Sequence, residues 1–211
     1  AQYAGERPPE FLLTHPVTEK RIADSRNRAE QYPTKKHENN REFALIKARA
    51  KLAASENPSV AIKHFQSELQ GNDLDSDASR YGIVLAQTKL RQFDAAEKTL
   101  RPLLEKEPNN LFYTLAYANI LNGQGKYDAA LNLIKPTQIA YPRNYPVTMV
   151  TVNILQNMKD YTGAVRQLEN LLPEYEDLPD VWRDLAELRG LAGDTGGVHM
   201  ARAEYFILND D

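Results

Sequence analysis

A repeat with a period of 34 residues constrains the fold of this chain more than any other feature of its sequence. The segment 94–96 (Asp-Ala-Ala) recurs at 128–130, and the segment 108–110 (Pro-Asn-Asn) recurs as Pro-Arg-Asn at 142–144. Two separate anchors keep the same offset, so the period does not depend on one chance match. A fixed period of this length indicates similar structural units that stack along the chain.

Extending the period divides most of the chain into five units. Three units fit it without adjustment, a unit one residue longer precedes them, and a degenerate unit follows them. The predicted bounds are 42–76, 77–110, 111–144, 145–178 and 179–211. Each unit is long enough for a helix, a turn and a second helix.

The pattern inside one unit predicts a helical hairpin. Leu115, Ala118 and Leu121 follow one another at helical spacing, and the Gly-Gln-Gly segment 123–125 interrupts the helix after them. Ala130 falls where the two helices come closest, a position that needs a small side chain. A single hairpin cannot bury its apolar face, so the units must stack. We therefore predict about ten helices in a right-handed superhelical stack over the five units, without a β-sheet.

The register of Tyr127, Ala130 and Pro142 resembles that of the tetratricopeptide repeat (TPR) family over about 170 residues. The resemblance implies an all-α fold, a TPR superhelical array (α-solenoid) of about five helical hairpins, preceded by a short extended-plus-helix segment. It also implies that the chain binds other proteins. In TPR arrays the first helix of each hairpin, the A helix, lines the concave side, and the second, the B helix, lies on the convex side.

The concave side of the three best units is the predicted partner-binding surface. In the TPR geometry, register positions 5, 9 and 12 point into the groove. These positions are Tyr81, Leu85, Thr88, Leu115, Asn119, Asn122, Met149, Asn153 and Gln156. Amide side chains can donate to and accept from a peptide backbone, and the apolar side chains offer adaptable contact. We expect this surface to suit extended segments of low net charge, and we expect its side chains to lie outside the inter-repeat core.

Composition and charge exclude several other function classes. The chain has 26 basic and 29 acidic residues, so its net charge of −3 provides no basic surface for nucleic acid. No apolar run approaches the roughly 18 residues that a membrane span needs, and the absence of cysteine excludes disulfides and a thiol nucleophile. The four histidines lack the spacing of a zinc peptidase motif. We therefore predict that the chain by itself is not an enzyme and holds no cofactor.

The segment before the array resembles the end of a peptidase domain. A Pro-rich stretch leads through Thr14, His15 and Pro16 to a predicted helix for which Thr18 is the N-cap. This sequence resembles the closing segment of the HtpX-like and prenyl-protease-like family of zinc metallopeptidases. The resemblance implies that residues 1–33 are the C-terminal end of a metallopeptidase domain.

The order of the two parts carries further implications of the same resemblance. Residues 34–211 would form the TPR domain of a periplasmic zinc metalloprotease, and a preceding part of the parent protein would carry the zinc-binding helix. His15 would be an auxiliary zinc ligand in the parent protein only, and the alternative is a histidine in an ordinary surface connection. The implied partners are the peptidase domain itself, the outer-membrane β-barrel assembly machinery and β-barrel substrates such as the lipopolysaccharide-transport barrel.

A stand-alone TPR scaffold or co-chaperone adaptor, with no linked protease, is the alternative function. Adaptors that clamp a C-terminal carboxylate need basic and amide side chains on consecutive A helices. The fifth positions here are Ile46, Tyr81, Leu115, Met149 and Arg183, so that clamp is not built. If the protease interpretation holds, the gene should encode a signal peptide and a His-Glu-x-x-His motif before Ala1.

The last residues of the sequence predict an incomplete final repeat. The stretch 203–210 echoes 116–123, which precedes the turn between two helices. The array is therefore expected to be truncated at its C-terminus. A terminal repeat normally carries a polar outer face, so we expect Tyr205, Phe206 and Ile207 to be partly exposed.

Overall fold

The computed structural model describes residues 19–32, 40–71 and 76–209. Regular secondary structure within these residues consists of twelve helices and no strand. The helices are α1 (Glu19–Glu30), α2 (Arg41–Ala54), α3 (Pro58–Gln70), α4 (Ser76–Lys89), α5 (Phe93–Lys106), α6 (Leu111–Gly123), α7 (Tyr127–Ala140), α8 (Tyr145–Asn157), α9 (Tyr161–Glu169), α10 (Leu172–Tyr175), α11 (Pro179–Leu191) and α12 (Thr195–Leu208).

The chain divides into two compact units, 1–40 and 41–211. The described helix of the first unit is α1 (Glu19–Glu30). Thr18, the predicted N-cap, lies outside the described residues, so that assignment stays a prediction. The predicted domain boundary between residues 33 and 34 lies outside the described residues, so that boundary stays a prediction.

The second unit consists of five helical hairpins, which confirms the predicted all-α array. The pairs are α2 with α3, α4 with α5, α6 with α7, α8 with α9, and α11 with α12. The short α10 is an addition to the ten helices predicted for the array. It arises because α9 ends at Glu169, earlier than the corresponding helix α7, and Pro173, which has no backbone N–H to donate, lies in the first turn of a new helix.

The turns inside four of the hairpins repeat with the same 34-residue period. One residue of each turn has a left-handed backbone conformation: Arg91 (φ 59°), Gly125 (φ 75°), Lys159 (φ 63°) and Gly193 (φ 83°). At each turn the backbone N–H of the next residue donates to a carbonyl five residues earlier, as Lys126 does to Leu121 at 2.9 Å. This is the Schellman closure of a helix, which requires a left-handed residue. Glycine occupies only two of the four positions.

Asparagine side chains fix the start of two A helices. Asn110 accepts a hydrogen bond from the N–H of Phe112 at 3.0 Å and begins α6, and Asn144 accepts from the N–H of Val147 at 3.3 Å and begins α8. Both asparagines end the Pro-x-Asn anchors of the repeat. The anchors therefore mark the loop between two hairpins and the N-cap of the next A helix.

The B helices bury side chains at matching positions of the repeat. Three fully buried alanines are each followed, four residues later, by a fully buried large apolar side chain: Ala96 and Leu100, Ala130 and Ile134, Ala164 and Leu168. The small residue lets the two helices of the hairpin approach, and each large residue contributes about 1.5–3 kcal/mol by leaving water. This confirms the packing role predicted for Ala130.

The C-terminal helix exposes apolar side chains, as the sequence predicts. Phe206 and Ile207 of α12 are exposed, and Tyr205, whose ring contacts that of Phe206, is half-buried. Met200 on the same helix is exposed as well.

Candidate protein-binding surface

Four consecutive A helices of the second unit lie side by side. Helix α2 packs against α4, α4 packs against α6, and α6 packs against α8. Among the described residues these contacts form a continuous layer, which we name the A-helix layer. Its outer side is the concave face of a TPR array, where the partner-binding residues were predicted.

The nine predicted contact residues differ widely in exposure. Three of them are buried, namely Tyr81 (1% exposed), Leu115 (6%) and Asn122 (8%). Asn153 is exposed, and the half-buried ones are Leu85, Thr88, Asn119, Met149 and Gln156. The expectation that these side chains lie outside the inter-repeat core is wrong for Tyr81 and Leu115, which belong to the core. It is also wrong for Leu85 and Met149, which pack against the core. Partner binding at the nine positions stays a prediction.

Tyr81 is buried because the next A helix supplies two aromatic rings. Its ring meets that of Phe112 edge-on at 6.2 Å between centroids, and that of Tyr113 at 5.8 Å. Burial raises the pKa of the Tyr81 hydroxyl, and Arg49 opposes the shift by a hydrogen bond. The sequence signal for this packing was the adjacent aromatic pair at the start of α6.

Amide side chains of α6 and α8 meet on the A-helix layer. The Nδ2 atom of Asn157 donates to Oδ1 of Asn122 at 2.9 Å. We name five side chains the amide row: Asn119, Asn122, Asn153, Gln156 and Asn157. Asn157 was missing from the predicted set, although it directly follows Gln156 in the sequence. Each amide carries both donors and acceptors, so the row can hydrogen-bond to the N–H groups and to the C=O groups of a peptide backbone.

The first A helix carries an exposed apolar stripe that sequence reasoning missed. Phe43 is 65% exposed and Ile46 is 53% exposed on α2, and Ala50 and Ala53 continue the same face at helical spacing. We name these four residues the α2 stripe. The spacing of 3, 4 and 3 residues was a visible signal, but the predicted surface was restricted to the three regular units.

The charged side chains at one end of the layer neutralise one another. Arg41 at the start of α2 forms ion pairs with Asp77 of α4 and with Glu107, and Lys106 pairs with the same Asp77. Two cations therefore face two carboxylates. The cluster ties together the first two hairpins and the loop that follows them, and it adds little net charge to the layer.

A second polar cluster lies between α2, α3 and α4. The Glu68 carboxylate accepts from Lys51 and, at 2.8 Å, from the Ser79 hydroxyl. Burial by itself raises the pKa of this carboxyl, but the hydrogen bonds from Lys51 and Ser79 outweigh burial and lower it below the ordinary value. The carboxylate is consequently charged at neutral pH and joins three helices.

The described part of the chain contains neither a candidate metal site nor a candidate membrane span. No group of three or more His, Asp or Glu side chains there could hold a metal ion. No helix of that part is long and apolar enough to cross a membrane. His15, the predicted auxiliary zinc ligand, lies outside the described residues, so its role stays a prediction.

Two curated proteins of the same name are similar to this chain. The chain is 38% identical over 127 residues to the beta-barrel assembly-enhancing protease of Escherichia coli, which is 60% of this chain and 26% of that protein. The protein of the same name from Yersinia pestis is 26% identical over 205 residues, 96% of this chain and 42% of the relative. The chain thus spans less than half the length of these relatives. No family model matches it.

Solved structures show the fold independently. A thermophilic TPR protein from Thermus thermophilus superposes with a TM-score of 0.63 at 21% identity, covering 79% of this chain and 90% of that chain. MamA from Desulfovibrio magneticus superposes with a TM-score of 0.58 at 11% identity, covering 82% and 97%. This chain is therefore an all-α TPR solenoid whose sequence is similar to part of the beta-barrel assembly-enhancing proteases.

Proposed function

We propose that this chain is the protein-protein interaction domain of a periplasmic zinc metalloprotease that serves the assembly and quality control of outer-membrane β-barrel proteins. The observation that carries the proposal is the sequence similarity to the beta-barrel assembly-enhancing proteases. The chain contributes binding, and the parent protein's peptidase domain contributes zinc and catalysis. His15 would lie near that zinc in the parent protein.

The partners in this proposal are the outer-membrane β-barrel assembly machinery and stalled barrel substrates such as the lipopolysaccharide-transport barrel. A strand that has not yet paired exposes a row of backbone N–H and C=O groups, with apolar side chains on alternate positions. The A-helix layer offers amide side chains to the backbone groups of such a strand and exposed apolar side chains to its apolar side chains. The chemistry of the surface supports capture of such segments.

Site-specific photocrosslinking in the full-length parent protein tests the proposal. A photoreactive residue at Asn119, Asn153 or Gln156 should crosslink to unassembled barrel proteins or to the assembly machinery in intact cells. Lys98 and Lys135, which are exposed on the B helices α5 and α7, provide control positions. Crosslinks to these partners from the control positions alone would refute the placement on the A-helix layer, and crosslinks only to chaperones would favour the adaptor alternative.

A further inference from the structure

We propose that a cavity between the α6–α7 hairpin and the α8–α9 hairpin binds the side chain of an exposed tyrosine on a partner protein. The cavity has a volume of about 270 Å³, slightly below the range of about 300–1,000 Å³ for small-molecule sites, so its size suits a single side chain. None of its lining residues belongs to the predicted partner-binding set or to the amide row. The inference therefore goes beyond the proposed function and does not depend on it.

The cavity lies beside a position where the repeat loses a large side chain. Val147 lines the cavity and holds the register of Tyr113 in the preceding repeat. Tyr113 is fully buried there, and its ring lies 5.8 Å from that of Tyr81 between centroids. Where the preceding repeat buries a phenol ring of its own, α8 thus has a valine beside an open cavity. The array itself indicates that a tyrosine side chain fits this part of a hairpin.

Two glutamines on the walls of the cavity replace leucines of the repeat. Gln138 and Gln167 line the cavity and hold the registers of Leu104 and Leu133, which pack against core clusters. In the following repeat, Leu172 holds the register of Gln138 and also packs against the core. An amide is less favourable than leucine at a position that packs on an apolar core. The amides at this register therefore indicate a role other than folding.

The polar groups of the cavity are only partly paired. Nε2 of Gln138 donates to Oε1 of Gln167 at 3.3 Å, and the other polar atoms of these two amides have no hydrogen bond among the described residues. Thr148, which is 7% exposed, lines the same cavity, and within the described part of the chain its hydroxyl has no hydrogen bond either. The hydroxyl of the equivalent Thr114 donates to the Asn110 carbonyl at 3.0 Å. A buried hydroxyl without a partner is unfavourable, so a ligand that supplies one is favoured.

A phenol matches these groups better than a purely apolar ring. Its hydroxyl both donates and accepts, so it can pair with Oε1 of Gln138 and with Nε2 of Gln167. A phenylalanine ring would fill the same space but would leave the amides without partners, which a hydrogen-bonding site disfavours. Val147, Pro142 and the half-exposed Tyr141 line the cavity as well and offer apolar contact to the ring. The ligand class is therefore a protein segment that presents a tyrosine.

The charges beside the cavity favour a neutral ligand. Arg143 lines the cavity, but its guanidinium pairs with Glu174 at 3.3 Å. A carboxylate or a phosphate would have to compete with Glu174 for this cation, whereas a phenol would not. The other polar side chains of the lining, among them Asn170, are uncharged. The lining thus provides hydrogen bonds and no unpaired charge.

N-acetyl-L-tyrosinamide is the probe that tests the inference, and N-acetyl-L-phenylalaninamide is its comparison. Each compound is titrated into the full isotope-labelled chain, and binding is followed by the NMR shifts of the side-chain amides of Gln138, Gln167 and Asn170. We expect saturable shifts at these amides. The tyrosine compound should bind about tenfold more tightly than the phenylalanine compound, the ratio expected for the hydrogen bonds of one hydroxyl.

Variants that restore the residues of the preceding repeat should close the site. Val147→Tyr introduces the ring that Tyr113 provides there and should abolish binding of both compounds. Gln138→Leu/Gln167→Leu introduces the leucines and should make the two compounds bind equally. Gln66→Leu, at an exposed glutamine of α3, is the matched control and should bind like the parent. Circular dichroism melting checks that each variant is folded, and if Val147→Tyr unfolds, the double leucine variant decides.

Three results would overturn tyrosine recognition at this cavity: no shifts of the lining amides, equal affinity of the parent chain for the two compounds, or a tyrosine preference that survives in Gln138→Leu/Gln167→Leu. Shifts of the same amides by N-acetylglucosamine and not by the tyrosine compound would overturn it as well and would assign the cavity to a sugar. Crosslinking from the A-helix layer is independent of all these results, so the proposed function is tested separately.

Discussion

The period of left-handed turn residues leads to a quantitative prediction about stability. Lys159 holds φ 63° where the equivalent residues of two other turns, Gly125 and Gly193, are glycine. A non-glycine residue in this conformation costs about 1–2 kcal/mol, and glycine costs about 0.4–1 kcal/mol in added unfolded-state entropy. Lys159→Gly should therefore stabilise the array by about 0.5–1 kcal/mol, which is about 1–4 °C in Tm for a chain of this size.

The reverse substitution provides the matched control. A Cβ atom added at Gly125 would meet nothing within 4 Å, so Gly125→Ala should destabilise the array by a similar amount through the backbone alone. Urea denaturation followed by circular dichroism measures both variants, and an unchanged m-value shows that the compared states are the same. Gly125→Ala is expected to be less stable than the parent. If it is, and Lys159→Gly is also less stable than the parent, the reasoning is refuted.

The remaining predictions concern packing, pH and catalysis. Gly82→Ala should destabilise the chain by about 1–3 kcal/mol, because its Cβ would lie 2.5 Å from Cζ of the buried Phe65 ring; a melting scan measures this. Glu68→Gln should lower stability at pH 7 by about 1–2 kcal/mol. The pKa of Glu68 is lowered in the folded state, so the stabilisation by its charge is fully present above the ordinary pKa of 4.5. That stabilisation is lost as the pH falls through the folded pKa. The unfolding free energies of parent and variant should therefore become equal in acid titrations. Tyr81→Ser should destabilise by about 3 kcal/mol or more, and Met149→Ser, which removes a half-buried side chain that packs against the core, should lower the melting temperature by less. The purified chain with added zinc should not cleave casein.

Each of these predictions has an outcome that contradicts it. An unchanged melting temperature for Gly82→Ala would mean that the Phe65 ring moves freely. A Glu68→Gln difference that persists at pH 2 would place the effect in packing and not in charge. Zinc-dependent cleavage that a chelator abolishes would show that the chain holds a catalytic site of its own.

The sequence predicts the features of this fold that repeat and misses those that depend on a neighbour. Ala130 and the Pro-x-Asn anchors recur at a fixed offset, and the structure assigns them to the helix crossing and the N-caps. The left-handed conformation of Arg91 and Lys159 could not be predicted from the sequence, because neither arginine nor lysine favours that conformation. The burial of Tyr81 was missed because it depends on two aromatic rings of the next hairpin. The prediction assigned each residue from its position in its own repeat and did not include contacts between repeats.

The fifth register position shows why the candidate site begins at α2. Tyr81 and Leu115 hold this position on α4 and α6, where an A helix packs on either side, and both are buried. Ile46 holds it on α2, which among the described residues contacts an A helix on one side only, and its side chain is half exposed. A residue at this position is therefore buried where A helices pack on both sides of its own helix, and it is more exposed where, among the described residues, only one A helix does. A bound segment that covered Ile46 would complete on α2 the burial that the array provides for its interior helices.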